Sequence, residues 1–378
     1  MLRDVFSLGR LYAVMAKEFV QLRRDRLTFA MMIGIPVIQM TLFGFAINGD
    51  PRSLPTAVVA HEQGPFTRSL VRALENTGYF RVVDATLGEA EAERALAQGD
   101  VQFVLTVPAG FARALQRGER PALLLEADAT DPAATGNAIG AVQQLAARAL
   151  RHDLVGPLAA PDAPPPFEWR IQRRYNPEGI TQYNVVPGLM GVILTMTMIM
   201  MTGLAVTREV ERGTMENLLA MPIRPIEVML GKIAPYIFVG YVQVTIIVLA
   251  AHYLFDVPVI GSLPLLFGSA VFFIAANLSV GFTFSTLAKS QMQAMQLSFF
   301  YFLPSLLLSG FMFPFRGMPV WAQWVGEILP LTHFLRIIRG VMLKGNLPYD
   351  VWPNLWPIAV FTLAAMGLAL LRYRRTVA

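Results

Sequence analysis

The chain has no cysteine in its 378 residues, which excludes disulfides, thiolate nucleophiles and metal–thiolate centres. Charge is also scarce. Only 15% of residues are Asp, Glu, Lys or Arg, against about 25% in soluble domains, while 54% are hydrophobic and the mean hydropathy is +0.49. Such a chain reads as an integral membrane protein. Histidine occurs four times, at His61, His152, His252 and His333, without ligand spacing, so no metal site is expected. No G-x-x-x-x-G-K-[ST] run is present: "LGKI" at Leu230–Ile233 lacks the first glycine and the hydroxyl, so it makes no phosphate cradle. A G-x-S-x-G elbow is missing too, and no other catalytic constellation points to an enzyme. The excess of five positive charges is not gathered into a basic patch interleaved with aromatics, so nucleic acid is not an expected partner. No period of 20–50 residues repeats. The only G-x-x-x-G, Gly136–Gly140, falls outside the apolar runs and marks no dimerising span.

What the chain does have is long apolar runs. Crossing a hydrocarbon core of about 30 Å takes about 20 residues, and charge-free stretches of that order occur over residues 27–47, 183–206, 233–255, 263–288, 294–315 and 353–371. The expected architecture is therefore an α-helical polytopic membrane protein with six transmembrane helices. With a cytoplasmic N-terminus, the inside loops would hold the six basic residues of 1–26, the four of 207–232, Lys289, Arg372, Arg374 and Arg375; the short outside loops would hold Arg316, Arg336, Arg339 and Lys344. That asymmetry predicts that both termini are cytoplasmic. Val5, Leu8, Leu11, Tyr12, Met15, Phe19 and Leu22 recur at helical spacing among basic residues. Residues 1–26 are thus expected to lie as an amphipathic helix on the inner membrane surface, and 372–378 form a cytoplasmic tail. The first apolar run has no small-residue cleavage site behind it and is read as an uncleaved anchor.

Residues 48–182 have soluble composition, with 13 basic and 16 acidic side chains. Short apolar strands at 56–60, 80–83, 101–107 and 122–126 alternate with helical patterns at 66–76, 88–98, 110–117 and 137–153, which predicts an inserted extracytoplasmic α/β domain built on one sheet. Its exit, "GPLAAPDAPPPFEW", is proline-rich and predicts a semi-rigid linker back to the membrane. A second outside segment, 316–352, mixes Trp321 and Trp324 with apolar residues, Arg336, Arg339 and Lys344. That composition predicts helices lying in, or dipping into, the outer interface.

After the second run, "LAVTREVERGTMENLLAMPIRP" places five charges in nine positions, 208–216. Gly213 suits a helix C-cap and Thr214 an N-cap, with Glu216 in the first turn of a short helix ended by Pro222. Pro225 is placed to open the helix that continues into the third run. A charged stop-transfer segment is the plainer reading; a short helix held between two breaks can also pass force from a cytoplasmic partner into the membrane.

The stretches "TREVERGTMENLLAMPIRPIEVMLGKIAPY" and "LPLTHFLRIIRGVMLKG" resemble the two signature regions of ABC-2 type transport permeases, specifically the multidrug exporter permeases with a large domain after the first span. The resemblance covers essentially the whole chain. It implies a transport subunit that hydrolyses no ATP itself, with ATP and Mg2+ used by a partner ABC ATP-binding subunit docked on the elbow through Glu209, Glu211, Arg212, Gly213, Thr214, Glu216 and Leu218. It marks Pro330, Thr332, His333, Arg336, Arg339, Gly340, Lys344 and Gly345 as the second signature region. It further implies a second permease copy or homologue, hydrophobic or amphiphilic drug-like cargo, and a membrane-lipid environment; the exported domain would dock a periplasmic adaptor or gate the exit.

Within the runs, polar residues are sparse: Gln39, Thr195, Thr197, Thr202, Gln243, Asn277, Ser279, Thr283, Ser298 and Ser305. Helix-to-helix hydrogen bonding is their ordinary role, with Gln243 and Asn277 first choices for a translocation path. No carboxylate or lysine lies in the runs, against a proton-coupled carrier. Methionines crowd residues 190–229, where lipid-facing packing and an adaptable ligand surface are both open. Two rivals remain: export of a lipid-linked glycan or other envelope component, and a membrane receptor whose exported domain binds a ligand.

Overall fold

The structure, a computed structural model, describes residues 51–146, 148–150, 153–154, 164–211 and 225–377; at 209–210, 225–234 and 373–377 the description extends to the backbone alone. The interface helix expected over 1–26, the run 27–47 and elbow positions Arg212, Gly213, Thr214, Glu216 and Leu218 lie outside the described residues.

The first body is an α/β domain. Strands β1 (Leu54–Ala60), β2 (Phe80–Asp84), β3 (Phe103–Val107), β4 (Ala122–Asp128) and β5 (Glu168–Arg174) form one sheet in the order β2-β1-β3-β4-β5. All neighbours are parallel except β3 and β4, where Leu105 faces Leu125 in antiparallel register. Helices α1 (Pro65–Asn76), α2 (Glu89–Gln98), α3 (Phe111–Gln116) and α4 (Pro132–Leu145) connect the first four strands and follow β4. Side chains of a strand alternate between faces, and β1 shows the division. Leu54 and Val58 join Leu70 and Leu74 of α1, Phe111 and Leu115 of α3 and Val142 of α4. Ala57 and Val59 point the other way, against Ala92 and Leu96 of α2. Each large apolar side chain buried here contributes about 1.5–3 kcal/mol. Helix α2 is set locally: Glu91 accepts from the Gly88 N–H at 3.1 Å, and Gly99, at φ 83°, ends the helix in the left-handed region.

Strand β5 corrects the linker expectation. The end of the proline-rich exit, Phe167 onward, is part of the domain: Phe167 is buried, and "EWRIQRR" pairs with β4 along its whole length. Proline density dominated the sequence reading, while the period-two alternation of Trp169 and Ile171 with charged residues carried the strand. Helix α4 begins at Pro132, five residues before the expected 137, because the Asp131 side chain caps it by accepting from Ala133 N–H at 3.2 Å.

The second body is a helical bundle: α5 (Thr181–Glu211), α6 (Pro225–Phe255), α7 (Leu263–Leu287), α8 (Gln291–Leu308), α9 (Val320–Ile328), α10 (Pro330–Arg339) and α11 (Pro348–Val377). Among the described residues, four stretches are long and apolar enough to cross a membrane: Thr181–Arg208, Pro235–Phe255, Leu263–Leu287 and Pro348–Arg372. Helix α7 is central, 67% of its apolar window being buried against 17% for α11. Small residues permit its close packing, since a Cβ at Gly281 would stand 2.5 Å from the Ile199 carbonyl oxygen of α5. The run expected over 294–315 is helical over Gln291–Leu308, after which the chain turns through Gly310 at φ 84°.

The buried hydroxyls also correct an expectation. Most donate within their own helix rather than between helices: Thr195 to Gly191 O, Thr202 to Met198 O, Ser279 to Ala275 O and Ser298 to Ala294 O, at 2.7–2.9 Å. A hydroxyl four residues beyond a carbonyl satisfies itself without a partner helix. Thr197 is an exception, donating at 2.9 Å to Gln243 Oε1 of α6 as well as to its own helix.

Candidate functional site at the junction of domain and bundle

The second signature region forms one continuous buried unit. Leu331, Phe334, Leu335 and Ile338 of α10 enter the bundle core, with the Phe334 ring stacked on Phe273 of α7 at 4.0 Å between centroids. This segment was expected in the outer interface. Of the two arrangements open there, lying in the interface or dipping into it, the packing of its apolar stripe inside the bundle, against α5, α7 and α11, is compatible with the second.

Helical spacing gathers Thr332, His333, Arg336 and Arg339 on the other side. Thr332 Oγ1 donates to Gly326 O at 2.6 Å. His333 Nε2 lies 2.8 Å from Glu327 O and Nδ1 3.1 Å from the Asn354 side-chain amide. Arg336 makes a bidentate pair with Glu327 at 3.0 and 2.6 Å. Burial pushes the Glu327 carboxyl up, but the hydrogen bond and charge of Arg336 outweigh it and hold it below its ordinary value. His333 is thus a packed, hydrogen-bonded residue.

After Arg339, a π turn at Gly340–Lys344 closes at Gly345, φ 71°. A Cβ at Gly340 would meet Asn346 Nδ2 at 2.5 Å, so a larger residue there would displace the Asn346 side chain. The turn delivers Lys344 into the α/β domain. Its Nζ lies 2.6 Å from Asp128 Oδ2, with side-chain exposures of 7% and 9%, donates to Leu96 O at 3.2 Å, and stands 5.2 Å from the centre of the Tyr175 ring. Asp128 Oδ1 accepts from the Thr130 N–H and hydroxyl. Both partners of this ion pair are therefore held by further hydrogen bonds, the condition under which burial of two charges is tolerated. Burial first, and Asp128 second, push the Tyr175 hydroxyl up to about 12.

The C-terminus of α2 is the domain's other contact. Lys344, Asn346 and Arg316 approach the Leu96, Ala97 and Gly99 carbonyls, and Gln98 donates to Asp350 of α11 at 3.0 Å. Cations suit the negative end of a helix dipole.

Between these contacts lies a cavity of about 140 Å³, lined by Gln102, Asp128 and Asp131 from the domain and by Arg316, Arg336, Arg339 and Lys344 from the bundle, among others. Among the described residues, Arg339 donates only to Gly310 O, at 3.3 Å, and its Nε and Nη2 are buried without a partner. Gln102 Oε1 and Asn184 Oδ1 are likewise buried without one. Burial pushes the Asp131 carboxyl up, although Arg339 pulls the other way.

The elbow and path residues fall elsewhere. Glu211 closes α5 at the end remote from the domain; its carboxylate accepts from Gln291 N–H at 2.7 Å and Gln291 Nε2 at 2.6 Å, at the start of α8. Glu209 is placed by its backbone in the last turn of α5. Asn277 is buried and donates to Phe273 O of its own helix at 2.9 Å, and Gln243 is held by Thr197. Neither lines the junction cavity.

Sequence reading missed the domain's half of the junction: Asp128, Asp131, Gln102 and the end of α2. One signal was available, the acids Asp128 and Asp131 closing the apolar strand "ALLLEA".

A multi-pass membrane protein whose α/β domain docks on a buried helix between its last two long helices defines the class. The chain belongs to the ABC-2 family of transporter proteins, whose family model matches residues 26–371. It is 28% identical over 383 residues to "Probable multidrug ABC transporter permease YbhS" of Escherichia coli K12, covering 99% of each chain. It is 28% identical to "Probable multidrug ABC transporter permease YbhR" of the same strain, covering 97% of this chain and 99% of the relative. "Inner membrane transport permease YhhJ", also from that strain, is 29% identical, with 100% and 98% covered. The chain is accordingly an ABC permease subunit, a membrane transport component whose ATPase is a separate subunit.

Proposed function

We propose that this permease exports hydrophobic or amphiphilic drug-like compounds from the cytoplasm or inner leaflet. Two copies, or one copy and a homologue, enclose the path, and two ATP-binding subunits carrying ATP and Mg2+ press on the elbows. Residues 27–47 and α8 complete six spans; both termini and the elbow are cytoplasmic, and the α/β domain is extracytoplasmic, where it gates the exit or meets an adaptor. The full-length match to permeases whose names specify multidrug transport carries this reading.

The length of α5 supports the two-sided arrangement. Its 31 residues span about 45 Å at 1.5 Å per residue, more than a hydrocarbon core. Near its start Asn184 donates to Asp131 of the domain at 3.4 Å, and at its end Glu211 meets α8. Domain and elbow therefore occupy opposite ends of one helix. A tilt of α5 driven at the elbow reaches the junction directly, provided the motor binds the two tilt states with different affinity. The test is reconstitution with the cognate ATPase in lipid vesicles. ATP-dependent movement of an amphiphilic dye supports the reading; ATP turnover by this chain alone, free of contaminating ATPase, overturns the separate motor.

A further inference from the structure

The geometry points to a further binding site. We infer that the junction cavity receives a small oxyanion, a carboxylate or phosphate group, seated on the Nε–Nη2 edge of Arg339. In a guanidinium these two N–H groups point the same way and match two oxygens of one anion in a bidentate contact. In Arg339 they are the two buried donors left without a partner, while Nη1 is engaged by Gly310 O. A buried guanidinium with a whole edge unused is costly unless something occupies it.

The space fits that occupant. At about 140 Å³ the cavity is too small for a drug-sized molecule, whose pockets run to about 300–1,000 Å³, and ample for one oxyanion with a water. The charges permit it. Of the lining acids, Asp128 is bound to Lys344 and Asp350 to Gln98 and Leu347 N–H, leaving Asp131, one oxygen of which is held by Ala133 N–H and Asn184. Asp131 acts on the charge of Arg339 without reaching ion-pair distance among the described residues. Of the cations, Arg336 is paired with Glu327, whereas Arg316 makes one hydrogen bond among the described residues, at 3.5 Å to Gly99 O. Arg339 and Arg316 thus both have capacity left for an anion. The unpartnered Gln102 Oε1 would accept from a protonated anion oxygen or a bridging water. Because Arg339 belongs to the bundle and Gln102 to the domain, the anion would join the two bodies.

The anion could be free in solution or the phosphate of a lipid headgroup, and two assays separate them. Thermal unfolding of the purified full chain in detergent is followed with inorganic phosphate against chloride at equal ionic strength. Native mass spectrometry then asks whether chain extracted from phosphatidylglycerol membranes retains that lipid. The expected result is a phosphate-dependent rise in Tm, or retained lipid, that is lost in two variants. Arg339→Lys keeps the charge but lacks the paired donors, and affinity should fall about tenfold, the worth of one charge-assisted hydrogen bond. Gln102→Glu keeps the shape, adds a repelling charge and leaves Arg339 intact, so it serves if the first variant does not fold. Binding unchanged in both variants, or no stabilisation and no retained lipid in the wild-type chain, overturns the inference and leaves the cavity to water.

Discussion

The two ends of α5 treat charge in opposite ways. At the domain end, Lys344 and Asp128 are buried and held by further hydrogen bonds, and the turn that delivers Lys344 closes at Gly345 in the left-handed region. At the elbow end, Glu211 is exposed and meets Gln291 across the start of α8, and the charges that follow crowd into a few positions of sequence. A buried pair is expensive to break from one side, because the remaining charge has no water to return to. An exposed carboxylate contributes little stability by itself. The junction is built as an attachment; in the proposed function the elbow is the handle.

Breaking the attachment should have the largest effect. Lys344→Met alone strands Asp128 and should cost about 3–5 kcal/mol, read as a lower Tm and faster hydrogen exchange in α2. Lys344→Met combined with Asp128→Leu should recover much of that loss; if the double variant is no better than the single one, the pair is not the attachment. Next come elbow variants that leave the fold alone. Glu216→Arg should insert at normal abundance, since a helix-dipole contribution is only about 0.3–1 kcal/mol. It should nevertheless lose ATPase binding or cargo-stimulated turnover, because charge reversal at such an interface costs about 2–5 kcal/mol. Pull-down from membranes with equal permease content measures it. Gly281→Val should follow, destabilising the bundle by about 1–3 kcal/mol through overpacking against the Ile199 carbonyl, visible as a lower Tm with the α/β domain intact. The smallest effect concerns pH. Glu327 is held below its ordinary value, so the folded state binds its proton less readily than the unfolded chain. Its stabilisation is present above pH about 4.5 and is lost as pH falls through the lower folded value; Glu327→Gln should flatten that acid slope slightly, the group being half-exposed.

Helices long enough to cross a membrane were legible because apolar length is a local property, and the first four strands because alternation with turns is one too. Strand β5 was hidden behind a proline-rich approach, although Trp169 and Ile171 carried the period. Helix α10 read as interfacial because Arg336, Arg339 and Lys344 sit among apolar residues. A composition count cannot separate a helix lying on a surface from one whose opposite face is covered by another domain. The junction itself joins positions more than 200 apart, Lys344 with Asp128 and Gln98 with Asp350, so no local pattern could announce it. Asn277 drew notice by its polarity in an apolar run; its amide donates to the Phe273 carbonyl of its own helix.

The central claim, that a separate motor drives this permease through the elbow, is tested most directly in sealed vesicles holding the permease and its cognate ATPase with nucleotide outside. ATP should drive an amphiphilic dye across the bilayer, Glu216→Arg should abolish that transport at unchanged permease abundance, and permease alone should neither transport nor hydrolyse ATP. Transport at wild-type rate by Glu216→Arg, or ATP-driven transport by the permease alone, would contradict it.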